Sequence, residues 1–239
     1  MKIKLSLRLD AVANLVSQGM FVADIGTDHA YVPIALVERG IVPKALAMDI
    51  NKGPLQIARE NIKTFGLEKQ IETCLSDGLR ALEDYKVESV VIAGMGGGLL
   101  MDILSASRTL LGSVKEFILQ PQSELYKVRA FLLDQGFSFL AEEMVFDGGK
   151  YYPMMKVAPV CFANKDMCAW SEVEITYGKL LLAQQHPVLK EYLLWKKTIK
   201  GKVIKELAHR QGEAICTRKK ELKKEWKLIE EGLQYYDMS

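Results

Sequence analysis

The sequence predicts a doubly wound α/β domain followed by an all-helical tail, on three observations. From residue 20 to about 135, short apolar runs alternate with helical patterns, as repeated βα units require. The first run ends in Asp24-Ile25-Gly26, and the second, Ala45-Leu46-Ala47-Met48, ends in Asp49, 25 residues after Asp24. A tight turn after strand one and an acid on the tip of strand two is the arrangement by which such sheets hold a nucleoside. Finally, two extended runs flank Asp147-Gly148-Gly149-Lys150, a hairpin signal, and from about Asn164 the pattern is helical only.

Taken in order, Leu5, Leu9, Val12 and Val16 recur at helical spacing and predict a helix over 5–17, packed on the sheet before a strand at 20–24. A helix at 30–39 stops at Gly40, and a strand follows at 44–49. The next helix starts at Gly53, has Pro54 in its first turn where a missing N–H costs nothing, and closes at Gly66. Strands are expected at 71–75, 89–93 and 116–119, then a helix at 124–135. The runs 137–145 and 151–158 pair as the hairpin. Five βα units and a hairpin imply a parallel sheet with one reversed strand near an edge. Dehydrogenase-type domains continue instead with a sixth parallel strand; the hairpin ending marks methyl-transferring domains that use S-adenosylmethionine.

In the tail, a helical segment over 172–182 leads to a break at His186-Pro187. A long helix at 188–209, a joint at Gly212 and a last helix at 213–235 follow. Val203, Ile204, Leu207, Ile215, Leu222, Trp226, Ile229 and Leu233 supply an apolar stripe that pairs the two as an antiparallel coiled-coil hairpin. The expected domains are 1–162 and 163–239.

Composition narrows the function classes. At 239 residues and 49% apolar, the chain can hold one good core plus an appendage, or two small domains. No apolar run approaches the ~18–20 residues that cross a bilayer, and Met1-Lys2-Ile3-Lys4-Leu5-Ser6 lacks a signal-peptide core. A cytoplasmic chain with no membrane partner is expected. Cys74, Cys161, Cys168 and Cys216 form no C-x-x-C and there are only three histidines, so reduced thiols and no metal are expected. The net charge of +2 hides an asymmetry: from Lys190 to Lys227 thirteen basic residues stand against five acidic ones. Such an excess is either a solvated helix face or the footprint of a polyanionic partner.

Asp24, Asp49 and Asp77, the last followed by Gly78, stand on the tips of three adjacent parallel strands, the rim where ligands bind in such folds. In an adenosylmethionine site Gly26 lets the backbone approach the amino-acid end, Asp49 takes the ribose hydroxyls and Asp77 accepts from the adenine amino group. The bland alternative is three turn or cap acids. Strand four runs into Gly94-Met95-Gly96-Gly97-Gly98, backbone able to approach a ligand closely and offer N–H donors. No Lys-Ser/Thr follows, which excludes a nucleotide triphosphatase loop. It is also not the D/N-P-P-Y sequence of many amino-group methyltransferases. Gln120-Pro121-Gln122 forms a polar tip on strand five, a candidate to hold a base edge.

Leu5-Ser6-x-Arg8-Leu9, Ala23-Asp24-Ile25-Gly26-Thr27-Asp28-His29-Ala30-Tyr31, Met48-Asp49-Ile50, Ser76-Asp77-Gly78, Ala93-Gly94-Met95-Gly96-Gly97 and Leu119-Gln120-Pro121 stand in this order. Together with the helical tail they resemble the bacterial tRNA adenine N1-methyltransferases of the TrmK type, over essentially the whole chain. Asp28 stands where methyltransferases at large carry the second glycine of D-x-G-x-G, the expected form within this family. The resemblance implies a Rossmann-like class I fold. It also implies methyl transfer from S-adenosylmethionine to N1 of adenine 22 in the D arm of tRNA, with S-adenosylhomocysteine as product.

The resemblance and the rim together place Asp24, Gly26, Asp28, His29, Asp49, Ile50, Asp77, Gly78, Gly94, Met95 and Gly96 around the cofactor. Asp28, His29 and Gln120 are the catalytic candidates. N1 of neutral adenine already carries a lone pair, so no base need act before attack and the task is alignment. The methylated ring is cationic until its amino group loses a proton. Asp28 is the candidate to assist there, or else anchors the cofactor; His29 and Tyr31 meet a ring or simply pack. A paired target must be flipped out, because N1 lies on the Watson–Crick edge. Arg8, Lys196, Lys197, Lys200, Arg218, Lys219, Lys220, Lys223 and Lys224 are the expected RNA contacts, through phosphates. A methyltransferase acting on another RNA and a non-catalytic RNA-binding scaffold are the rival readings. A monomer is expected.

Overall fold

The computed structural model describes residues 3–107, 112–159 and 169–237. Its elements in chain order are α1 (Leu7–Leu15), β1 (Val22–Ile25), α2 (Tyr31–Glu38), β2 (Ala45–Asp49), α3 (Lys52–Thr64), β3 (Ile71–Leu75), a 3-10 turn (Arg80–Asp84), β4 (Ser89–Met95), α4 (Gly97–Ala106), β5 (Glu116–Pro121), α5 (Leu125–Asp134), β6 (Phe137–Asp147) and β7 (Lys150–Pro159). The tail follows with α6 (Glu172–Tyr177), α7 (Lys179–Ala183), α8 (Pro187–Leu207) and α9 (Glu213–Gln234). The chain divides into two compact units, Met1–Met167 and Cys168–Ser239. The boundary expected at 162/163 lies outside the described residues, as do Cys161 and Cys168. Cys74 and Cys216 carry free thiols.

In the first unit seven strands form one mixed sheet in the order β3-β2-β1-β4-β5-β7-β6. β1 to β5 run parallel, and β7 lies antiparallel between β5 and β6, the reversed strand expected near an edge. The hairpin closes through a two-residue turn between paired Asp147 and Lys150. Gly148 and Gly149 both take positive φ there, 54° and 82°, as a primed turn demands and a side chain resists.

Period-two alternation explains why the sheet is covered on both faces. Ala23, Ile25, Val90, Ile92, Phe117 and Leu119 point to one side, into a core shared with Leu100 and Leu104 of α4 and Val128 and Leu132 of α5. Val22, Ala45, Ala47, Val91 and Ile118 point to the other, against Val12 of α1, Ile34 and Leu36 of α2 and Ala58 and Ile62 of α3.

Several boundaries differ from those the sequence predicts, two of them beside the site. α1 begins after Ser6, whose hydroxyl accepts the Leu9 N–H, and it ends at Leu15 rather than 17. The chain leaves the helix because buried Glu116 captures both the N–H and the hydroxyl of Ser17, at 2.8 and 2.6 Å. The glycine cluster, expected as a loop, is mostly regular structure: β4 continues to Met95 and α4 starts at Gly97. The helix start is fixed from outside, since Ser123 Oγ accepts the Gly97 N–H at 3.1 Å.

In the second unit α8 and α9 pair antiparallel. Lys197 faces Glu230, Lys200 faces Glu225, and the Trp226 ring lies over Gly201, where a Cβ would come within 3.3 Å of it. Gly232 likewise accommodates Leu193. Pro187 occupies the first position of α8, the place that a ring without an N–H tolerates, so the predicted break is a helix start. Among the described residues no helix is long and apolar enough to cross a membrane.

Candidate active site

Strand order reverses between β1 and β4, so their carboxyl ends open a crevice, the switch point where ligands bind in open α/β sheets. Arg8, Leu9, Asp24, Gly26, Thr27, Asp28, His29, Tyr31, Val32 and Ala93 line a cleft of about 210 Å³ there. Gly26 has φ 72°, and a Cβ on it would fall 2.2 Å from the Met95 methyl group. Gly94 takes φ 81° where the β4–β5 register shifts between Ala93 and Met95. Both glycines leave bare backbone on the crevice walls.

The side chains here sit in contrasting environments. Asp24 is buried and accepts the Thr27 hydroxyl at 2.7 Å. Burial pushes its carboxyl up to about 6; the Thr27 hydrogen bond opposes this, and the charge of Asp49 adds to it. Asp28, by contrast, projects with 79% of its side chain exposed, 3.3 Å from His29 Nε2. The His29 ring stacks on Tyr31 at 5.1 Å and 21°, and its carbonyl accepts the Asn61 amide at 3.0 Å. The turn is thus held by its neighbours while its polar groups face the opening.

Asp49, at the end of β2, accepts the Asn51 N–H through Oδ1 at 2.7 Å, and Ile50 beside it is exposed. Asp77 and Gly78 follow β3 and line a separate recess of about 160 Å³ with Leu79, Arg80, Leu99, Asp102 and Ile103. Asp77 pairs with Arg80 at 3.3 Å on the surface, an interaction of little strength that a ligand can displace. Gly94 and Gly96 are exposed at the head of β4 and Met95 is half-buried between them.

One expectation needs correction. Gln120 does not offer its amide to a base edge: it is fully buried, its Oε1 accepts from Arg8 Nη1 at 2.9 Å and Gly94 N at 3.2 Å, and its Nε2 donates to Pro121 O. Arg8, expected as an RNA contact, lines the cleft. Thr27, Asn61 and Tyr152, whose ring lies 5.6 Å from the Arg8 guanidinium carbon, also border the site and are not among the residues the sequence predicts. Thr27 was within reach, as the polar neighbour of an acid in a turn; Asn61 and Tyr152 act across the fold and leave no local signal.

The basic residues of the tail are largely engaged within it. Lys197 meets Glu230, Lys200 meets Glu225, Arg218 meets Glu221 and Glu225, and Lys224 meets Glu172. Lys196 lies over the Tyr192 and Tyr177 rings. Lys219 donates to the carbonyls of Ala208 and Arg210, both at 3.0 Å, and so closes the carboxyl end of α8. Lys220 and Lys223 have no carboxylate partner among the described residues, and neither do Lys202 and Lys205.

A mixed sheet with β7 reversed, a β1–β4 crevice walled by glycine and acids on successive strand tips define a class I methyltransferase domain. Residues 5–155 match the family model described as a methyltransferase domain. The chain is 31% identical over 180 residues to the tRNA (adenine(22)-N(1))-methyltransferase of Bacillus subtilis, covering 75% of this chain and 74% of that one. A Streptococcus pneumoniae protein solved with S-adenosyl-L-methionine superposes with TM-score 0.83 at 32% identity, covering 96% of this chain and 100% of that chain. TrmK of M. capricolum, solved with S-adenosyl-homocysteine, gives TM-score 0.81 at 27% identity, covering 97% and 98%. This chain belongs to the TrmK family of methyltransferases.

Proposed function

We propose that this protein transfers a methyl group from S-adenosylmethionine to N1 of adenine 22 in the D arm of tRNA, acting in the cytoplasm as a monomer. The observation that carries the reading is the β1–β4 cleft, with buried Asp24 and bare Gly26 on one wall and exposed Asp28 at its mouth. The Bacillus subtilis relative supports the choice of base.

The cleft fits the cofactor: Gly26 and Gly94 take the positive φ that favours glycine and present bare backbone there. Asp49 keeps one carboxylate oxygen for the ribose hydroxyls, and Asp77 and the exposed Ile50 and Leu99 suit the base beyond it. The cofactor supplies an electrophilic methyl group whose sulfur leaves with the bonding electron pair. The protein aligns the N1 lone pair with that methyl. The stacked His29 and Tyr31 rings offer a platform for a flipped base, and Asp28 stands ready to take the amino proton that restores a neutral ring.

The helical unit, residues 163–239 in the domain division proposed here, holds the tRNA through phosphates. Lys202, Lys205, Lys220 and Lys223 are its foremost contacts, and the ion-paired residues take a lesser part.

The test is incubation with radiolabelled-methyl adenosylmethionine and unmodified bacterial tRNA, followed by nucleoside analysis. Labelled 1-methyladenosine that disappears when adenine 22 is replaced is the expected result. Label on another nucleoside overturns the substrate, and cofactor binding without any transfer to tRNA overturns the activity.

A further inference from the structure

The β6–β7 hairpin overshoots the strand beside it. In the antiparallel β5–β7 register Leu119 pairs with Met155, so Pro121, the last residue of β5, falls level with Pro153. Residues 146–151 therefore stand past the carboxyl end of β5, by roughly 10 Å at Lys150 given the rise of a strand. The β1–β4 crevice opens on this same rim of the sheet. The projection is anchored at its base. Asp147 Oδ2 accepts the Arg8 N–H at 3.1 Å, in the first turn of α1, where backbone donors lack helical partners and a carboxylate is favoured. Tyr152 packs into the core and reaches the cleft-lining Arg8, and Gly148 and Gly149 hold the turn.

Side chains alternate along a strand, so Tyr151 turns to the face opposite Tyr152. There it meets Phe146, its partner across the hairpin, with ring centroids 4.6 Å apart and planes at 46°. Phe146 is 46% exposed, so this aromatic pair is open to solvent beside the rim. A cross-strand aromatic pair steadies a hairpin, which accounts for the pairing but not for an apolar surface set next to a ligand cleft. The tip also carries one outward charge. Asp147 is answered by the start of α1, whereas exposed Lys150 forms no ion pair among the described residues.

We propose that the hairpin tip is a stacking contact for the RNA substrate: the Phe146–Tyr151 pair receives an unpaired nucleobase neighbouring the target, and Lys150 meets its phosphate. The inference rests on the RNA-methyltransferase reading. Continuity with the cleft selects RNA as the occupant, since Tyr152, the residue after Tyr151, already borders the site. Flipping one base out of a stack also leaves its neighbours without a partner, and an aromatic surface beside the opening replaces the lost stacking. Every base has a π-face, so the contact holds an opened strand without reading its sequence.

The test compares wild type with Phe146→Leu/Tyr151→Leu, Phe146→Tyr and Lys150→Gln in methylation kinetics, thermal melts, S-adenosylhomocysteine calorimetry and tRNA binding against salt. The double leucine variant keeps apolar bulk without π-faces. It should raise the KM for tRNA by roughly five- to a hundredfold and leave S-adenosylhomocysteine affinity unchanged. Phe146→Tyr, which keeps the ring, should stay near wild type. Lys150→Gln should lower the log–log salt slope of tRNA binding by about one. A double leucine variant that melts like wild type and keeps its KM for tRNA overturns the platform. So does one that melts early and loses S-adenosylhomocysteine and tRNA affinity alike, because the pair is then structural. If that variant does not fold, an unchanged salt slope in Lys150→Gln overturns the contact. A wild-type protein that binds S-adenosylhomocysteine but no tRNA refutes the RNA reading itself, and the platform falls with it.

Discussion

Asp24 illustrates how a single residue couples site and stability. An exposed aspartate ionises near about 3.9, whereas burial pushes Asp24 up to about 6. Between those values the folded chain keeps a proton that the unfolded chain has lost, so stability falls as pH rises through the window and the full cost is present above about pH 6. Two units correspond to about 3 kcal/mol. Asp24→Asn, which keeps an oxygen for the Thr27 hydroxyl, should therefore stabilise the protein by up to about 3 kcal/mol at pH 7.5 and hardly at all at pH 4. Urea unfolding at the two pH values measures this, and a pH-independent difference would refute the burial argument. The wild-type chain retains a destabilising acid in its cleft, the expected mark of a group that a cationic ligand relieves.

At the scale of elements, most of the fold was legible because strands and helices here carry their own periodicity. β1, β2, β4 and β5 read as short apolar runs because both faces of the sheet are covered, and the hairpin turn declares itself through Gly148-Gly149. The start of α4 was not legible. Four glycines in five positions signal a loop, and only the neighbouring β5–α5 connection reveals why the first of the two helical ones is a glycine. A Cβ on Gly97 would lie 2.5 Å from Ser123 O and 2.9 Å from Val128 Cγ2, backbone and core that cannot retreat. On Gly98 it would meet only the end of Glu124, at 3.3 Å. Gly97→Ala should cost about 1–3 kcal/mol by overpacking, while Gly98→Ala should be neutral or stabilise by up to about 1 kcal/mol through helix propensity. Thermal melts of both variants check this; a Gly97→Ala as stable as wild type would show that the close approach is not required. The Asp24 and Asp49 tips were readable by the same logic as the strands, since each acid ends an apolar run, whereas Asp77 comes two residues after the polar-mixed β3. Gln120 misled because a polar residue at a strand tip reads as exposed, and its burial follows from Arg8, 112 positions away.

For the whole molecule, the count of charges in the tail was legible but their distribution was not, because ion pairing depends on how α8 and α9 face each other. Glu225, Glu230 and Glu172 take up Lys200, Lys197 and Lys224, so these cations serve the helical unit first. Exposed pairs of this kind contribute little individually, about 0–1 kcal/mol, yet reversing one member sets like charges together. Lys202, Lys205, Lys220 and Lys223 carry no such obligation. Reversing these four to glutamate should leave the melting temperature and S-adenosylhomocysteine affinity near wild type, raise the KM for tRNA, and flatten the log–log salt dependence by about 0.7–0.9 for each lysine that meets a phosphate. Reversing Lys197, Lys200 and Lys224 should act the other way round, lowering the melting temperature first. Calorimetric melts beside tRNA binding at several salt concentrations read both quantities. If the four tip reversals leave tRNA binding and its salt slope unchanged, the tail is a structural appendage and the phosphates must be held elsewhere.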